Sequence, residues 1–460
     1  MSIRRFTLPV RRFTLPVLAT SALITAWGCA LPSAYAADAA PQAAPATTAR
    51  TALAAPGATA SGVTVATPAG SGPAAKADAP DLALSSYDAH SGQAVLTAHD
   101  TASSKAAAGL HPGQLIDSPP SAGAPHGALV KVTGVQHTPD GARVTTRPAT
   151  LPELLGHTNA SLQAPVAPAA FSIQPQIQGL QVSLNATGIT SGNGSISGGL
   201  GLTANATVPL PNGSSATLDG SVELNPTIDF SYQGGLGALA PQQARVGFTL
   251  GAHADWHVAA GLTATGTPLR IPIATLGASP VVMVGALPVV VNLDLVLTAD
   301  ISADGTVSVD AQQSYDGSWG VHSDYAQGKG WTTSTDPSTS TVTPLKLDLS
   351  GDGSIRTGLE AEASVSLYDA LGVKASIEPY LRTSLKGSVV LDGTGAAPVV
   401  HGTVGLYGGL DINGALFARL AILGTTLAEQ DLPFLNFEKE WPIDSWSTPA
   451  GTTLPGISTH

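Results

Sequence analysis

The chain has 460 residues, enough for two or three domains or for one large β domain with appendages. Only 11% of the residues are charged, against about 25% in ordinary soluble domains, and the formal net charge is −12. An acidic chain is repelled by phosphate backbones, which argues against nucleic acid as a partner.

The first 36 residues predict a signal peptide. Four arginines give a basic start, Leu15–Trp27 is an uncharged and mostly apolar core, and Ala34-Tyr35-Ala36 supplies the small residues of a cleavage site. Cleavage near Ala36 predicts a secreted or cell-surface protein. The only cysteine, Cys29, lies inside this segment and lacks the preceding Leu of a lipoprotein box, which argues against lipidation. The mature chain then has no disulfide and no Cys-ligated metal.

Residues 37–85 are predicted to form a disordered Ala/Pro/Thr linker, because they contain almost no large apolar side chain. Residues 86–165 predict a small β module. Within it, residues 128–135 read as a strand, and Asp140-Gly141 reads as a tight turn into a second strand. Thr150-Leu151-Pro152-Glu153 fits a capping box that opens a very short helix.

Residues 170–445 alternate apolar and polar side chains, as at Leu293, Leu295 and Leu297, and residues 446–460 form a tail. This period of two predicts antiparallel strands with one buried face. Turns are predicted at five pairs: Asn193-Gly194, Asn212-Gly213, Asp304-Gly305, Asp352-Gly353 and Asp392-Gly393. The predicted fold class is all-β: a large antiparallel β-sandwich or barrel-like domain, preceded by the small β module and the disordered linker. No mature segment is long and apolar enough for a transmembrane helix.

Two stretches resemble secreted β-rich proteins of actinobacteria, a family with no established activity. Residues 129–154, a strand pair followed by Thr146-Arg147-Pro148-Ala149-Thr150-Leu151, are similar to a small module of those proteins. Their larger β domain is similar to residues 284–331, with Pro288-Val289-Val290-Val291, Ser318-Trp319 and Gly328-Lys329-Gly330-Trp331, and to residues 368–387 and 405–425. The resemblance implies export and a β fold, and it carries over no functional residue.

His253, Asp255 and His257 form the sharpest chemical pattern in the sequence. On a strand, alternate residues project from one face, and the residues between them would face the core. Two imidazoles and a carboxylate on one surface suit a divalent transition metal. The alternative is the solvated face of an amphipathic strand, and no other cofactor is predicted.

Two carboxylates and three tryptophans are the remaining candidates. Glu360 and Glu362 share a strand face, and paired carboxylates are the catalytic groups of glycosidases. Trp319, Trp331 and Trp441 are candidates for stacking on sugar rings. The alternatives are an exposed acidic face for the carboxylates and core or loop anchoring for the tryptophans. The chain has no Gly-x-Ser-x-Gly elbow and no His-Glu-x-x-His motif.

These patterns favour a secreted, non-enzymatic extracellular or cell-envelope protein that binds or adheres to a polysaccharide or wall polymer. One alternative is a secreted hydrolase or lyase acting on an extracellular polymer, and another is a lipid-binding or membrane-associated β-barrel. A binding protein would gather aromatic side chains on an exposed surface. An enzyme would bring carboxylates or histidines from distant segments together in a cleft.

Overall fold

The computed structural model describes residues 51–53, 62–70, 72, 74–190, 196–209, 215–235, 240–263, 268–336, 339–394, 396–418 and 430–448. The predicted signal peptide, the turns at Asn193-Gly194 and Asn212-Gly213 and most of the tail lie outside these residues.

The described chain is nearly all β, as the sequence predicts. Its helices are α1 (Thr101–Ala108), α2 (Leu151–Leu155) and a 3-10 turn at Pro168–Ala170. The strands are β1 (Thr51–Leu53), β2 (Val63–Thr67), β3 (Lys76–Asp88), β4 (Gln93–Ala98), β5 (Leu115–Ser118), β6 (Ala128–Thr138), β7 (Gly141–Pro148), β8 (Asn159–Pro165), β9 (Ser172–Pro175), β10 (Gln181–Thr190), β11 (Ile196–Pro209), β12 (Ser215–Gln233), β13 (Gln243–Thr263), β14 (Leu269–Ala278), β15 (Val281–Val284), β16 (Leu287–Ala326), β17 (Gly330–Thr335), β18 (Thr339–Leu367), β19 (Leu371–Leu391), β20 (Val399–Ala418) and β21 (Gln430–Ser447).

The small module is a closed six-stranded barrel with strand order β2-β3-β4-β7-β6-β5. Its core is made of apolar residues from alternate positions, among them Val63, Leu82 and Val144. The predicted turn between β6 and β7 is present. The predicted capping box of α2 is also present: the Glu153 amide donates to the Thr150 hydroxyl, and the Thr150 amide donates to the Glu153 carboxylate.

The boundaries of this module differ from the prediction. Strands β2 and β3 lie partly or wholly inside the stretch 37–85 that was predicted to be linker, and both are needed to close the barrel. The linker was predicted from the average composition of residues 37–85, which does not reveal the short alternation of Val63 and Val65. The strands that pair with β2 in the barrel are distant in sequence. At the other end, β8 pairs with β12 and so belongs to the large sheet.

The large sheet runs β10-β11-β12-β13-β16-β18-β19-β20-β21, and every pair of neighbours is antiparallel. Its backbone is the 40-residue strand β16. The first half of β16 (293–301) pairs with β14, the second half (306–326) pairs with β13, and β18 follows the opposite edge of both halves. The sheet therefore divides into two branches at β16.

The apolar faces of the two branches form one core. Leu293, Leu295 and Leu297 are fully buried, as their alternation predicts. A small cavity of about 20 Å³ is lined by Trp256 from one branch and by Ile273 from the other, which shows that these faces pack against each other.

A row of glycines crosses four strands of the sheet: Gly305 in β16, Gly353 in β18, Gly387 in β19 and Gly402 in β20. Gly305 pairs with Gly353 and Gly387 pairs with Gly402, and all four have positive φ. A side chain on any of them would run into a carbonyl of the neighbouring strand. Glycine rows of this kind let adjacent strands bend together.

This row corrects two predicted turns. Asp304-Gly305 and Asp352-Gly353 lie inside long strands and mark the bend, whereas the predicted turn at Asp392-Gly393 does lie in the loop between β19 and β20. A bend and a hairpin both need glycine at positive φ, so the local sequence is the same for both.

Among the described residues, no helix has the length and apolar character required to cross a bilayer.

Candidate functional site

Charged side chains are concentrated on the outward face of strands β14, β16 and β18–β21. Three arginines are central to this cluster, here called the arginine ladder: Arg270 on β14, Arg356 on β18 and Arg382 on β19. Each pairs with at least one carboxylate on a strand one or two positions away in the sheet, so the ladder fastens six strands together on the side opposite the core.

Arg356 lies at the centre of the ladder. Its Nη2 is 3.0 Å from Glu378 Oε1 and 2.5 Å from Asp411 Oδ2, and its guanidinium carbon lies 3.6 Å from the centre of the Tyr380 ring. Tyr380 is 2% exposed although it points outward, because the arginine covers it and its ring lies over Gly409. A cation over an aromatic face is stabilising, and more so when water is excluded.

Arg382 repeats this arrangement one step along the sheet. Its Nε and Nη2 donate to the two carboxylate oxygens of Glu440 at 2.7 and 2.6 Å, a bidentate pair. The guanidinium carbon lies 4.3 Å from the centre of the Tyr407 ring, which in turn lies over Gly405. Both tyrosines are therefore held flat against the sheet over glycines.

Glu378 is the unusual acid of the ladder. Burial raises its pKa to about 7, and the neighbouring Arg356 opposes this without cancelling it. Burial likewise raises the pKa of Asp300, with Arg270 and Arg356 opposing. The buried Oδ1 atom of Asp411 has no hydrogen-bond partner among the described residues. Burial therefore favours the protonated form of Glu378 up to about pH 7.

Beside the ladder, an open groove of about 880 Å³ lies along the glycine row. Its polar lining comes from five strands: Asp304 of β16, Asp352 and Ser354 of β18, Arg382, Ser384 and Lys386 of β19, Thr403 and Tyr407 of β20, and Ser445 and Ser447 of β21. Neither Asp304, Asp352 nor Lys386 forms an ion pair with another described residue. The groove thus offers a ligand hydroxyls, both signs of charge and two aromatic side chains, Tyr407 and Trp446.

The predicted carboxylates Glu360 and Glu362 do share the outward face of β18. Glu360 pairs with Arg270, and Glu362 lies 2.9 Å from Lys374 Nζ. Each has its own cation and neither lines the groove. The ladder acid whose pKa reaches about 7 is Glu378, and only the cross-strand register brings it near Arg356 and Asp411.

The three predicted tryptophans occupy different environments. Trp319 is 2% exposed and meets Phe248 edge-on at 5.2 Å, so it is a core side chain. Trp331 is half-buried against Tyr325 at 5.4 Å. Trp441 lies over Gly408. The aromatic side chains that line the groove are Trp446 and Tyr407, and Tyr407 is not among the candidates that the sequence predicts. Its signal is the Gly405-Leu-Tyr-Gly-Gly409 run, where glycines leave room for a ring.

His253, Asp255 and His257 project from one face of β13, and the buried Ala254, Trp256 and Val258 project from the other, as the alternation predicts. Each imidazole contacts carboxylates of its own. His253 Nδ1 is 2.7 Å from Asp316 Oδ1, and the nitrogens of His257 lie 2.7 and 2.9 Å from Asp219 and Asp310.

These contacts set the protonation of both histidines. The contact with Asp316 raises the pKa of His253. Burial lowers the pKa of His257, but Asp219 and Asp310 outweigh it and the net shift is upward. Within the described ranges, no group of three His, Cys, Asp or Glu side chains is arranged to hold a metal ion.

Comparison of the chain with protein families, with curated proteins and with solved structures finds no match.

Proposed function

We propose that the protein is a secreted, non-enzymatic binding protein whose outward groove holds an extended polysaccharide or wall polymer. The observation that carries this proposal is the groove of about 880 Å³ along the glycine row. The predicted signal peptide supports the location.

The chemistry of the groove suits a hydroxyl-rich chain. Its side-chain hydroxyls and charges can donate to and accept from sugar hydroxyls. Tyr407 adds a ring beside them, and aromatic side chains supply contact area at little conformational cost.

The arginine ladder supports binding by keeping the groove rigid. The bidentate Arg382–Glu440 pair and the packing over Gly405 fix Tyr407 before any ligand arrives. Prior ordering of this kind lowers the entropy lost on binding.

The test is co-sedimentation of the mature protein with chitin, cellulose and purified cell wall, followed by assay of the supernatant for soluble fragments. We expect the protein to leave the supernatant with at least one polymer and no fragments to appear. Ser384→Arg places a bulky charge in the groove and should abolish binding. Ser350→Arg, on the same face of the sheet but outside the groove lining, should not.

Two lysine variants, one inside and one outside the groove, make the test more specific. Lys386→Ala should weaken binding, and Lys105→Ala, an exposed lysine on α1, should leave it unchanged. Binding that survives Ser384→Arg would place the site elsewhere, and failure to bind any of the polymers would count against the proposal as a whole.

One observation favours a second candidate, a secreted polymer hydrolase. Glu378 has a pKa of about 7, and a carboxyl that holds a proton near neutrality is what a glycosidase uses as its acid. Release of soluble fragments in the same assay, lost in Glu378→Gln and kept in Glu362→Gln, would establish this activity and overturn the non-enzymatic proposal.

A further inference from the structure

The small barrel meets the large sheet through apolar side chains of β5, β6 and α2, which belong to the same core cluster as the sheet, and through a few polar contacts. Asn292 of β16 donates through Nδ2 to the carbonyl of His126 at 3.2 Å. Gly127 lies so close to Val290 that a Cβ atom would be 2.7 Å from that side chain. The tight turn between β18 and β19 reaches the barrel with Tyr368, and this turn is part of the same junction.

The turn has an unusual backbone. Tyr368 and Asp369 have φ of 50° and 54°, in the left-handed region that side-chain-bearing residues seldom adopt. This conformation sends the Tyr368 side chain towards β5, where its hydroxyl lies 2.8 Å from Asp117 Oδ1 and 3.0 Å from the Pro288 carbonyl oxygen. Strained backbone persists where the surrounding contacts hold it in place.

Asp117 is fully buried, and its Oδ2 has no partner among the described residues. Its neighbours in register are Thr64 on β2 and Leu129 on β6, which carry no charge. The titratable groups around the turn are Tyr368, Asp369 and three barrel residues that line the same cavity, Tyr87, His90 and His126. No described lysine, arginine or histidine forms an ion pair with Asp117. An ionised Asp117 would therefore be a buried charge without a counter-ion, which is costly.

The single hydrogen of the Tyr368 hydroxyl indicates which protonation state of Asp117 fits the geometry. The Tyr368 hydroxyl has one hydrogen and two oxygens within hydrogen-bond distance. Two separate, two-centre hydrogen bonds require a protonated Asp117 that donates to the phenol oxygen while the phenol donates to Pro288. Ionised Asp117 would take the phenol hydrogen and leave that carbonyl without it.

We propose that Asp117 is a proton switch for docking: the barrel is held against the sheet while this carboxyl is protonated and is released when it ionises. Burial raises the pKa of Asp117 well above its ordinary value, in the direction that the geometry requires. In the docked state the proton is kept, whereas in the undocked state water reaches the carboxyl and it ionises above about pH 4. Docking is therefore strongest at low pH and weakens as pH rises towards the docked-state pKa, by up to tenfold in the equilibrium constant per pH unit.

The experiment must report on the junction alone, because Glu378 and His257 also have raised pKa values and bias global stability in the same direction. The side-chain amide of Asn292 donates to the His126 carbonyl at 3.2 Å across the junction and serves as the local probe. Its hydrogen exchange, corrected for the intrinsic effect of pH, should show protection in the wild type that falls by up to tenfold per pH unit. Asp117→Asn, which cannot ionise, should show protection independent of pH.

The control variant is Asp140→Asn, at an exposed turn position of the barrel, whose protection should depend on pH as in the wild type. If protection in Asp117→Asn depends on pH as strongly as in the wild type, the proposal is wrong. Should Asp117→Asn fail to fold, the infrared C=O band of a protonated carboxyl decides in the Glu378→Gln background, which removes the other acid with a strongly raised pKa. The band should persist at pH 6, and its absence there would equally overturn the switch.

Discussion

Asp117 and Glu378 are both withdrawn from water, and they are neutralised in two different ways. At the junction, Asp117 has a tyrosine and no cation, so only a proton can neutralise it. On the outward face, Glu378 and Asp411 share the Arg356 guanidinium, and the neighbouring acids have arginines or lysines of their own. A proton can leave when the pH changes, but a guanidinium keeps its charge.

The difference fits the position of each group. The ladder joins strands within one sheet, where permanent pairing keeps the register fixed. The junction joins the sheet to a barrel that encloses a core of its own, and a removable proton leaves the polar part of that contact adjustable. Within the ladder, neutralisation by a proton and by a cation are combined at Glu378, because this residue is buried deeply enough for its pKa to reach about 7 beside an arginine.

The largest expected effect comes from removing the central cation. Arg356→Met keeps the apolar stem but leaves Glu378 and Asp411 without a counter-charge and uncovers Tyr380. Breaking a buried pair costs about 3–5 kcal/mol, and because the Arg356 side chain is 25% exposed we expect a loss near the lower end, about 3 kcal/mol. Denaturant unfolding measures it. Arg270→Met, at the more exposed end of the ladder, should cost less than about 1 kcal/mol. Equal losses in the two variants would mean that Arg356 contributes no more to stability than Arg270 does.

A smaller loss is expected at the junction. Tyr368→Phe removes the hydroxyl that serves both Asp117 and Pro288, and leaving buried polar groups unpaired costs about 1–3 kcal/mol. We expect about 2 kcal/mol by thermal or denaturant unfolding at pH 5. The matched control is Tyr325→Phe, a buried tyrosine whose hydroxyl makes no hydrogen bond to a described residue. A loss in the control as large as in Tyr368→Phe would show that the hydroxyl contacts contribute nothing.

The local patterns of the sequence predict much of the fold. Alternation places Leu293 in the core and His253 on the outward face, and the capping box opens α2 as expected. The Asp-Gly pairs do not by themselves distinguish a turn from the interior of a strand. Asp304-Gly305 and Asp352-Gly353 look like turns but lie opposite each other inside two long strands. Only the register of β16 against β18 distinguishes a shared bend from two hairpins.

The sites are harder to predict because register and topology assemble them. Arg356 and Asp411 are 55 positions apart, and Asp117 and Tyr368 are 251 apart. A single sequence shows that each residue is present and does not show which distant residue it will meet. The predicted pair Glu360 and Glu362 is two positions apart in sequence, and for that reason was visible, yet the ladder acid whose pKa reaches about 7 is Glu378.

The pH dependence of the ladder gives a third expectation. Because the folded-state pKa of Glu378 is raised above its ordinary value of about 4.5, its contribution to stability is fully present below that pH and is lost as pH rises towards about 7. We expect this group to lower the free energy of unfolding by about 1–2 kcal/mol between pH 5 and pH 7. Glu378→Gln should flatten this part of the profile, while Glu362→Gln should keep it. A profile that Glu378→Gln leaves unchanged would mean that Arg356 holds Glu378 ionised throughout.

The smallest effect is expected on the exposed histidine face, where both members of each pair reach solvent. Contact with Asp316 raises the pKa of His253, so this pair stabilises the fold below pH about 6.5 and the contribution is lost as pH rises through the raised value. His253 is 45% exposed, which limits the contribution to less than about 1 kcal/mol, and 0.5 M salt should screen most of it. The measurement is unfolding at pH 5.5 and pH 8 for the wild type and for His253→Gln, with His137→Gln as the exposed control.

The same variant tests the metal hypothesis. The ring nitrogens of His253 face Asp316 and Asp255, and a metal ion would have to displace one of these carboxylates or bind together with it. We therefore expect Zn²⁺ at micromolar concentration to leave the thermal midpoint at pH 7.5 unchanged. A rise in the midpoint that disappears in His253→Gln would show that the carboxylates rearrange around a metal, and the histidine face would then be a binding site in its own right.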